Sequence, residues 1–295
     1  MSIEVEIFIE FLLTGLTNGA LYALVTIGLA LIFGVARLVN FAHGDLFMVG
    51  GYILFLVLSF DAIDVPYVVA VPLVVLATAL FALLVERVAI HPIINKSWRV
   101  QAVATLGISI ILQNVALIWF SSDPKQTPSP YSSQFTEVLG LRMSVQRIVI
   151  LVTVVIVFFA LQWFIRRTKT GKAMRAVSQN REMCEIVGIN TRRVAMITFA
   201  ISGGLAGLAA VLVAPLLSVR PEMGALLTLK GLAAVILGGL GQLNGAIYAA
   251  FLLGIIEALF GGYVSFAYRD VVSFGVFILI LFIRPQGLFG RKVGL

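Results

Sequence analysis

The chain has 295 residues, 60% of them hydrophobic and only 12% charged, with a net charge of +7. A water-soluble domain carries about 25% charged residues, so this balance excludes a soluble fold and calls for lipid as the solvent. In such a chain an excess of Lys and Arg marks loops at an anionic cytoplasmic face rather than a nucleic-acid surface.

The first residues are acidic (Glu4, Glu6, Glu10), whereas a cleavable signal peptide opens with positive charge. The first apolar run is therefore expected to stay in the mature protein. Hydropathy then predicts spans at about 8–33, 45–60, 66–86, 102–120, 147–165, 194–217, 224–240, 245–260 and 269–283. A β-barrel would alternate apolar and polar residues in segments of about ten, and runs such as 148–161 do not alternate. The expected fold is all-α, a polytopic transmembrane helical bundle of about eight to ten spanning elements, forming one domain over 1–295.

Loop charge sets the orientation. Basic loops (Arg37 with His43; Arg87, His91, Lys96 and Arg99; the island at 166–193; Arg284, Arg291 and Lys292 in the tail) alternate with acidic or mixed ones (Asp61 and Asp64; the segment 121–146). This pattern predicts an external N-terminus and a cytoplasmic C-terminus. The proline-rich segment 121–146 is too polar to span and is expected on the external face. Two spans look irregular: 45–60 is short, and 224–240 is glycine-rich and carries Lys230. Either is a candidate for a broken or re-entrant helix, which membranes tolerate only where protein or a water-filled cavity covers it. A glycine-punctuated segment followed by an apolar helix occurs in each half, at 44–58 and 231–256, a hint of two related halves.

No catalytic constellation is present. The sequence has no phosphate-binding Gly-x4-Gly-Lys-Ser/Thr loop, one cysteine (Cys184) and two histidines (His43, His91), both read as loop residues. No enzyme activity, metal or cofactor is expected. Glycines at i and i+4 (Gly15/Gly19, Gly203/Gly207, Gly241/Gly245) suit close helix packing in lipid. Polar residues inside apolar spans are costly there: Asn18 and Tyr22 one turn apart on the first helix, Gln113 and Asn114 on the fourth, Glu257 on the eighth. They serve either interhelical hydrogen bonds or a polar path, with Asn18 and Tyr22 the preferred lining pair. Asn40, His43 and Asp45 open directly into the second span and, with Gln113 and Asn114, are further candidates to line the path, although Asp45 could instead cap free backbone N–H groups.

The island at 166–193 holds eight of the 21 Lys and Arg residues: Arg166, Arg167, Lys169, Lys172, Arg175, Arg181, Arg192 and Arg193. Within it Met183, Ile186 and Val187 fall on one face of a short helix, and Gly188 is placed to end that helix in the left-handed conformation. A stripe this short cannot span a membrane and suits helix-in-groove docking.

The string Val39-Asn40-Phe41-Ala42-His43-Gly44-Asp45, with Asn18-Gly19-Ala20-Leu21-Tyr22 before it, resembles the LivH-type permease of bacterial branched-chain amino acid ABC importers. The resemblance resumes at 175–190, 229–241 and 284–291. It implies a permease subunit in the bacterial inner membrane, carrying branched-chain or other apolar amino acids. The implied partners are a second, related permease subunit, two cytoplasmic ATPase subunits and a periplasmic solute-binding protein. The family docks its ATPase through Glu-Ala-Ala-x3-Gly. Here Glu182, Met183, Cys184 and Gly188 stand in that place, with Met183 and Cys184 departing from the two alanines. Urea or short-chain amide permeases look similar, and an ion-coupled secondary transporter is the rival from another class.

Overall fold

The computed structural model describes residues 3–59, 65–138 and 141–290. Asp61, Asp64, Arg291 and Lys292 lie outside the described residues. Eleven α-helices follow one another among the described residues. In chain order they are α1 (Ile3–Ala36), α2 (His43–Leu58), α3 (Tyr67–Val85), α4 (Trp98–Phe120), α5 (Val145–Arg167) and α6 (Lys169–Gln179). Then come α7 (Arg181–Ile186), α8 (Thr191–Val213), α9 (Met223–Gly238), α10 (Leu243–Tyr263) and α11 (Arg269–Ile283). Each predicted span falls on one of these helices. Among the described residues seven helices are long and apolar enough to cross a membrane, whereas α2 and α9 are shorter.

Burial sorts the helices into a centre and a periphery. In its most apolar stretch α1 is 89% buried and α8 72%, against 17% for α4 and α5 and 6% for the span containing α11. The outer helices turn Val103, Ile118, Phe159, Trp163 and Phe282 outward. In water such a surface would be unstable; in lipid it is the expected solvent-facing one. Small residues bring the central helices together, since lipid supplies no hydrophobic drive between them. A Cβ on Gly15 would lie 2.7 Å from the Ile255 Cα of α10, and one on Gly207 2.8 Å from Thr78 of α3.

The irregular spans have a common geometry. His43, the first residue of α2, has its Nδ1 3.4 Å from the Ser202 hydroxyl, and Ser202 is the middle residue of α8. The connection from α1 therefore re-enters the bundle, and α2 begins at mid-height. The first two turns of α9 meet it there: the Gly44 N–H donates to Thr228 Oγ1 at 2.8 Å, satisfying one of the free donors of α2. Gly44 and Gly224 touch backbone to backbone, leaving no room for a Cβ on either. From this crossing α2 runs beside the second half of α8, with Gly50 against Gly207 and Ala210. By contrast α9 runs to the bend at Gly239–Gln242, next to the ends of α1 and α5. The two half-length helices thus leave the crossing in opposite directions.

Several expectations are corrected. His43 and His91 are not loop residues: His43 starts α2 and is fully buried, and His91 lies in a short 3-10 turn with its ring 3.7 Å from Glu86. The polarity around His43 belongs to a helix start sunk in protein, which from composition alone looks like a surface loop. Asp45 makes no capping bond; its Oδ1 accepts from Gln113 Nε2 at 2.9 Å, across to α4. The glycine-punctuated segment 231–256 is not one helix: α9 ends at Gly238 and α10 starts at Leu243. Segment 121–146 carries a two-stranded hairpin, β1 (Phe135–Val138) antiparallel to β2 (Leu141–Ser144). It is tied to the α8–α9 connection by Lys125 and Val219, whose backbones exchange bonds of 3.0 and 2.8 Å.

Candidate functional site

The basic island folds into two short helices and the start of a third, each opened by a side chain that accepts from the backbone three residues on. Thr168 Oγ1 accepts from Gly171 N at 2.9 Å, Asn180 Oδ1 from Met183 N at 3.0 Å, and Asn190 Oδ1 from Arg193 N at 2.9 Å. Each such cap is worth about 1 kcal/mol, which explains how helices as short as α7 persist outside the bundle. Helix α6 is amphipathic, with Gly171, Met174 and Val177 buried and Lys172 and Arg175 exposed.

Helix α7 is fixed in rotation by Cys184. That residue is 5% exposed and packs with Val35, Met174, Val177 and Val194. With Cys184 inward, Met183 (59% exposed), Ile186 (77%) and Val187 (73%) project outward as one apolar stripe. Gly188 follows at φ +83, a left-handed conformation that glycine adopts without a Cβ clash. Glu182 is exposed beside the stripe. Glu185 accepts from the Thr191 hydroxyl at 2.6 Å and faces Arg181 Nε at 3.5 Å. The Thr191 hydrogen bond, helped by Arg181, holds its carboxyl below the usual range.

The polar membrane residues separate into two groups. Asn40, His43, Asp45 and Gln113 surround the start of α2 in packed protein. Asn40 is 2% exposed and accepts from Ala42 N within its own turn, and His43 and Asp45 are fully buried. Asn114 stands apart from them, exposed and bonded back to Ile110 O of its own helix at 2.8 Å. Each has at least one interhelical or local partner, while His43 Nε2 and Asp45 Oδ2 are buried without one.

The second group contains Asn18 and Tyr22, and it is larger than the sequence suggested. The Tyr22 hydroxyl donates to the Glu257 carboxylate, 3.0 Å from each oxygen. Lys230 Nζ reaches the Tyr22 hydroxyl at 3.0 Å, Glu257 Oε2 at 2.8 Å and Asp270 Oδ1 at 2.6 Å. Ser273 Oγ adds a donor to Glu257 at 3.3 Å. Arg269 Nε lies 3.7 Å from Glu257 and 4.0 Å from Asp270, with its guanidinium over the Phe266 ring. Four helices, α1, α9, α10 and α11, supply this cluster. Lys230, Arg269 and Asp270 were missed as site residues, although each is a charge inside or beside an apolar run.

The cluster borders open space. A cavity of about 620 Å³ is lined by Asn18, Tyr22, Lys230, Glu257 and Arg269, by apolar residues such as Leu21, Phe47 and Leu226, and by Ser218, Arg220 and Glu222. A second cavity of about 290 Å³ lies toward the start of α1 and the end of α10, beside Glu10, Thr14 and Gly262. Asn18, Glu257 and Arg269 line both. No group of three or more potential metal ligands occurs among the described residues.

Comparison with known proteins agrees with this architecture. Residues 11–281 match the family model described as branched-chain amino acid transport system / permease component. The chain is 33% identical to the high-affinity branched-chain amino acid transport system permease protein BraD of Pseudomonas aeruginosa, covering 98% of this chain and 97% of the relative. It is also 33% identical to the corresponding protein LivH of Escherichia coli, with 99% and 98% covered. A probable LivH of Methanocaldococcus jannaschii is 28% identical over 92% of this chain and 89% of its own length. A family match over residues 11–281 and relatives one-third identical along nearly their whole length show that the chain belongs to the branched-chain amino acid transport permease family.

Proposed function

We propose that this chain is the membrane half of an ABC importer, passing branched-chain or other apolar amino acids across the bacterial inner membrane. A separate cytoplasmic ATPase supplies the energy. The observation that carries this reading is the α7 stripe. Three apolar side chains, each more than half exposed, stand outside the bundle on a helix fixed by its own cap and by Cys184. Leaving such groups in water is unfavourable by about 1.5–3 kcal/mol per fully exposed side chain, and a receiving groove removes that cost. Glu182, Met183, Cys184, Ile186, Val187 and Gly188 form the docking loop in this reading.

The island is cytoplasmic, so the start of α1 is external, and the hairpin segment faces a periplasmic binding protein. A second, related permease subunit and two ATPase copies complete the assembly. Asn18 and Tyr22 line the path, while Asn40, His43, Asp45 and Gln113 hold the α2–α9 crossing in place.

Reconstitution tests the reading. Proteoliposomes holding the chain with its partner permease and ATPase should take up leucine only with ATP and the binding protein present. Uptake by this chain alone, driven by an ion gradient and indifferent to ATP, would overturn it.

A further inference from the structure

The buried cluster has a property that the docking reading does not use: its charges sum to zero. Lys230 and Arg269 contribute two positive charges, and Glu257 and Asp270 two negative ones. A cluster that only bound helices together would do better as a well-packed apolar contact, because desolvating four charges costs more than their pairing returns in many buried ion pairs. Ionisable groups retained at membrane depth mark a path by default. Here they do border one, since Asn18, Glu257 and Arg269 stand between the two cavities and line both.

The four charged residues are not equally tied. Lys230 is 4% exposed and has three oxygen partners within 3.0 Å, so it is spent holding Glu257 and Asp270. Arg269 is 35% exposed, its nearest carboxylate is 3.7 Å away, and its other face rests on Phe266. A guanidinium in that setting retains free donors in a fork that matches a carboxylate. Glu257 is 2% exposed; its Oε2 is held by Lys230, Tyr22 and Ser273, and its Oε1 faces Arg269, so an ammonium group reaches Oε1 only where the guanidinium moves aside. The larger cavity continues from this polar cluster onto Leu21, Phe47 and Leu226, with Arg220 and Glu222 also on its lining. The cluster suits a zwitterion and the apolar part of the wall an aliphatic side chain.

We propose that Arg269 and Glu257 form a gate for zwitterions between the two cavities. When the path is empty, the guanidinium leans on the Glu257 carboxylate and the gate is self-neutralised. An arriving α-amino acid places its carboxylate on Arg269 and its ammonium on Glu257, so the pair parts without either charge losing a partner. An anion or a cation of the same size would leave one member of the gate unpaired in a desolvated site, which is unfavourable. Selection at this point is for an uncharged total with both ionic groups present; the apolar cavity wall then accepts the side chain.

This inference rests on the transport reading above, and the test separates the two. The complete complex is reconstituted as wild type, R269Q, R269K, E257Q and E257D. Leucine uptake is measured per ATP hydrolysed, alongside the thermal midpoint of each purified complex. The expected result is at least a tenfold fall in uptake per ATP for R269Q and E257Q, and a smaller fall for the charge-conserving R269K and E257D. Unchanged uptake per ATP in R269Q overturns the gate while the transport reading stands. Uptake, hydrolysis and thermal midpoint falling together, with R269K and E257D falling as far as R269Q and E257Q, reduces the cluster to a structural brace. No ATP-driven uptake by the wild-type complex overturns both.

Discussion

Replacing Ile186 by serine removes the most exposed member of the α7 stripe, and the size of the effect follows from its burial. Full burial of an isoleucine side chain is worth about 1.5–3 kcal/mol. Ile186 is 77% exposed in the chain alone, so about three quarters of that value, roughly 1–2 kcal/mol, is gained only when a partner covers it. Ordering cost is small, because a β-branched side chain has little χ1 freedom to lose and the helix is already held by Asn180 and Cys184. The hydroxyl of the serine must also be desolvated, which pushes the loss toward the upper end. I186S should therefore raise the Kd for the partner ATPase about 5- to 30-fold. The assay is interferometry of purified ATPase on the permease held in lipid nanodiscs. The chain's own stability should shift by less than about 0.5 kcal/mol, as for most surface substitutions. A change in Kd below twofold, with the fold intact, would refute docking through this stripe.

The crossing of the half-length helices and the acid end of the island give further tests. G44A places a methyl group against the backbone of Gly224 and the Thr228 hydroxyl; neither is the flexible end of a side chain. Overpacking of this kind costs about 1–3 kcal/mol, so the thermal midpoint in detergent should fall, and an unchanged midpoint would contradict the contact. Glu185 has a depressed carboxyl pKa, owed first to Thr191. The stabilisation it brings is complete above the ordinary glutamate pKa of about 4.3 and is lost as pH falls through the lower folded value. Hydrogen exchange at 188–191 should accelerate over that acidic window in the wild type and show no such step in E185Q. The same step in both would assign the transition to another group.

How much of this was legible beforehand differs between the two sites for a physical reason. Docking-loop geometry is local: a cap, a helical stripe and a terminal glycine lie within nine residues, from Asn180 to Gly188, so spacing alone reveals them. Spans are legible because hydropathy over about 20 residues averages out local detail. The charged cluster is not local. Tyr22 and Glu257 are 235 positions apart, and Lys230 lies 208 positions from Tyr22. A single chain shows only that each is an isolated polar group in an apolar run, with no indication of its partners. His43 failed in the opposite direction: its surroundings are polar enough to read as a surface loop, and only the depth set by Ser202 reveals burial. Asp45 looked like a cap because it stands near a helix start, yet Gln113 on α4 offered a better partner.

Helices α6 and α7 are joined to the bundle by two kinds of contact, and their magnitudes decide which one holds them there. Arg37, at a left-handed φ of +51, donates to the carbonyl oxygens of Ser178 and Gln179 at the end of α6, both at 3.4 Å and both exposed. Long, solvated hydrogen bonds of this type contribute at the low end of about 0.5–1.5 kcal/mol each. Beside them Val35 of α1, Met174 and Val177 of α6, Cys184 of α7 and Val194 of α8 are each no more than 7% exposed. Burying side chains of this size is worth about 1.5–3 kcal/mol apiece. The apolar cluster therefore outweighs the arginine contacts several-fold, and close-packed groups move together where hydrogen bonds to water-exposed carbonyls simply exchange. Cys184 thus packs α7 against the end of α1 and the start of α8. Those same two helices hold Gly28 and Ser202 against His43 at the start of α2. The rotation of α7 that exposes its apolar stripe is thus the rotation that seats its other face on the helices framing the α2–α9 crossing.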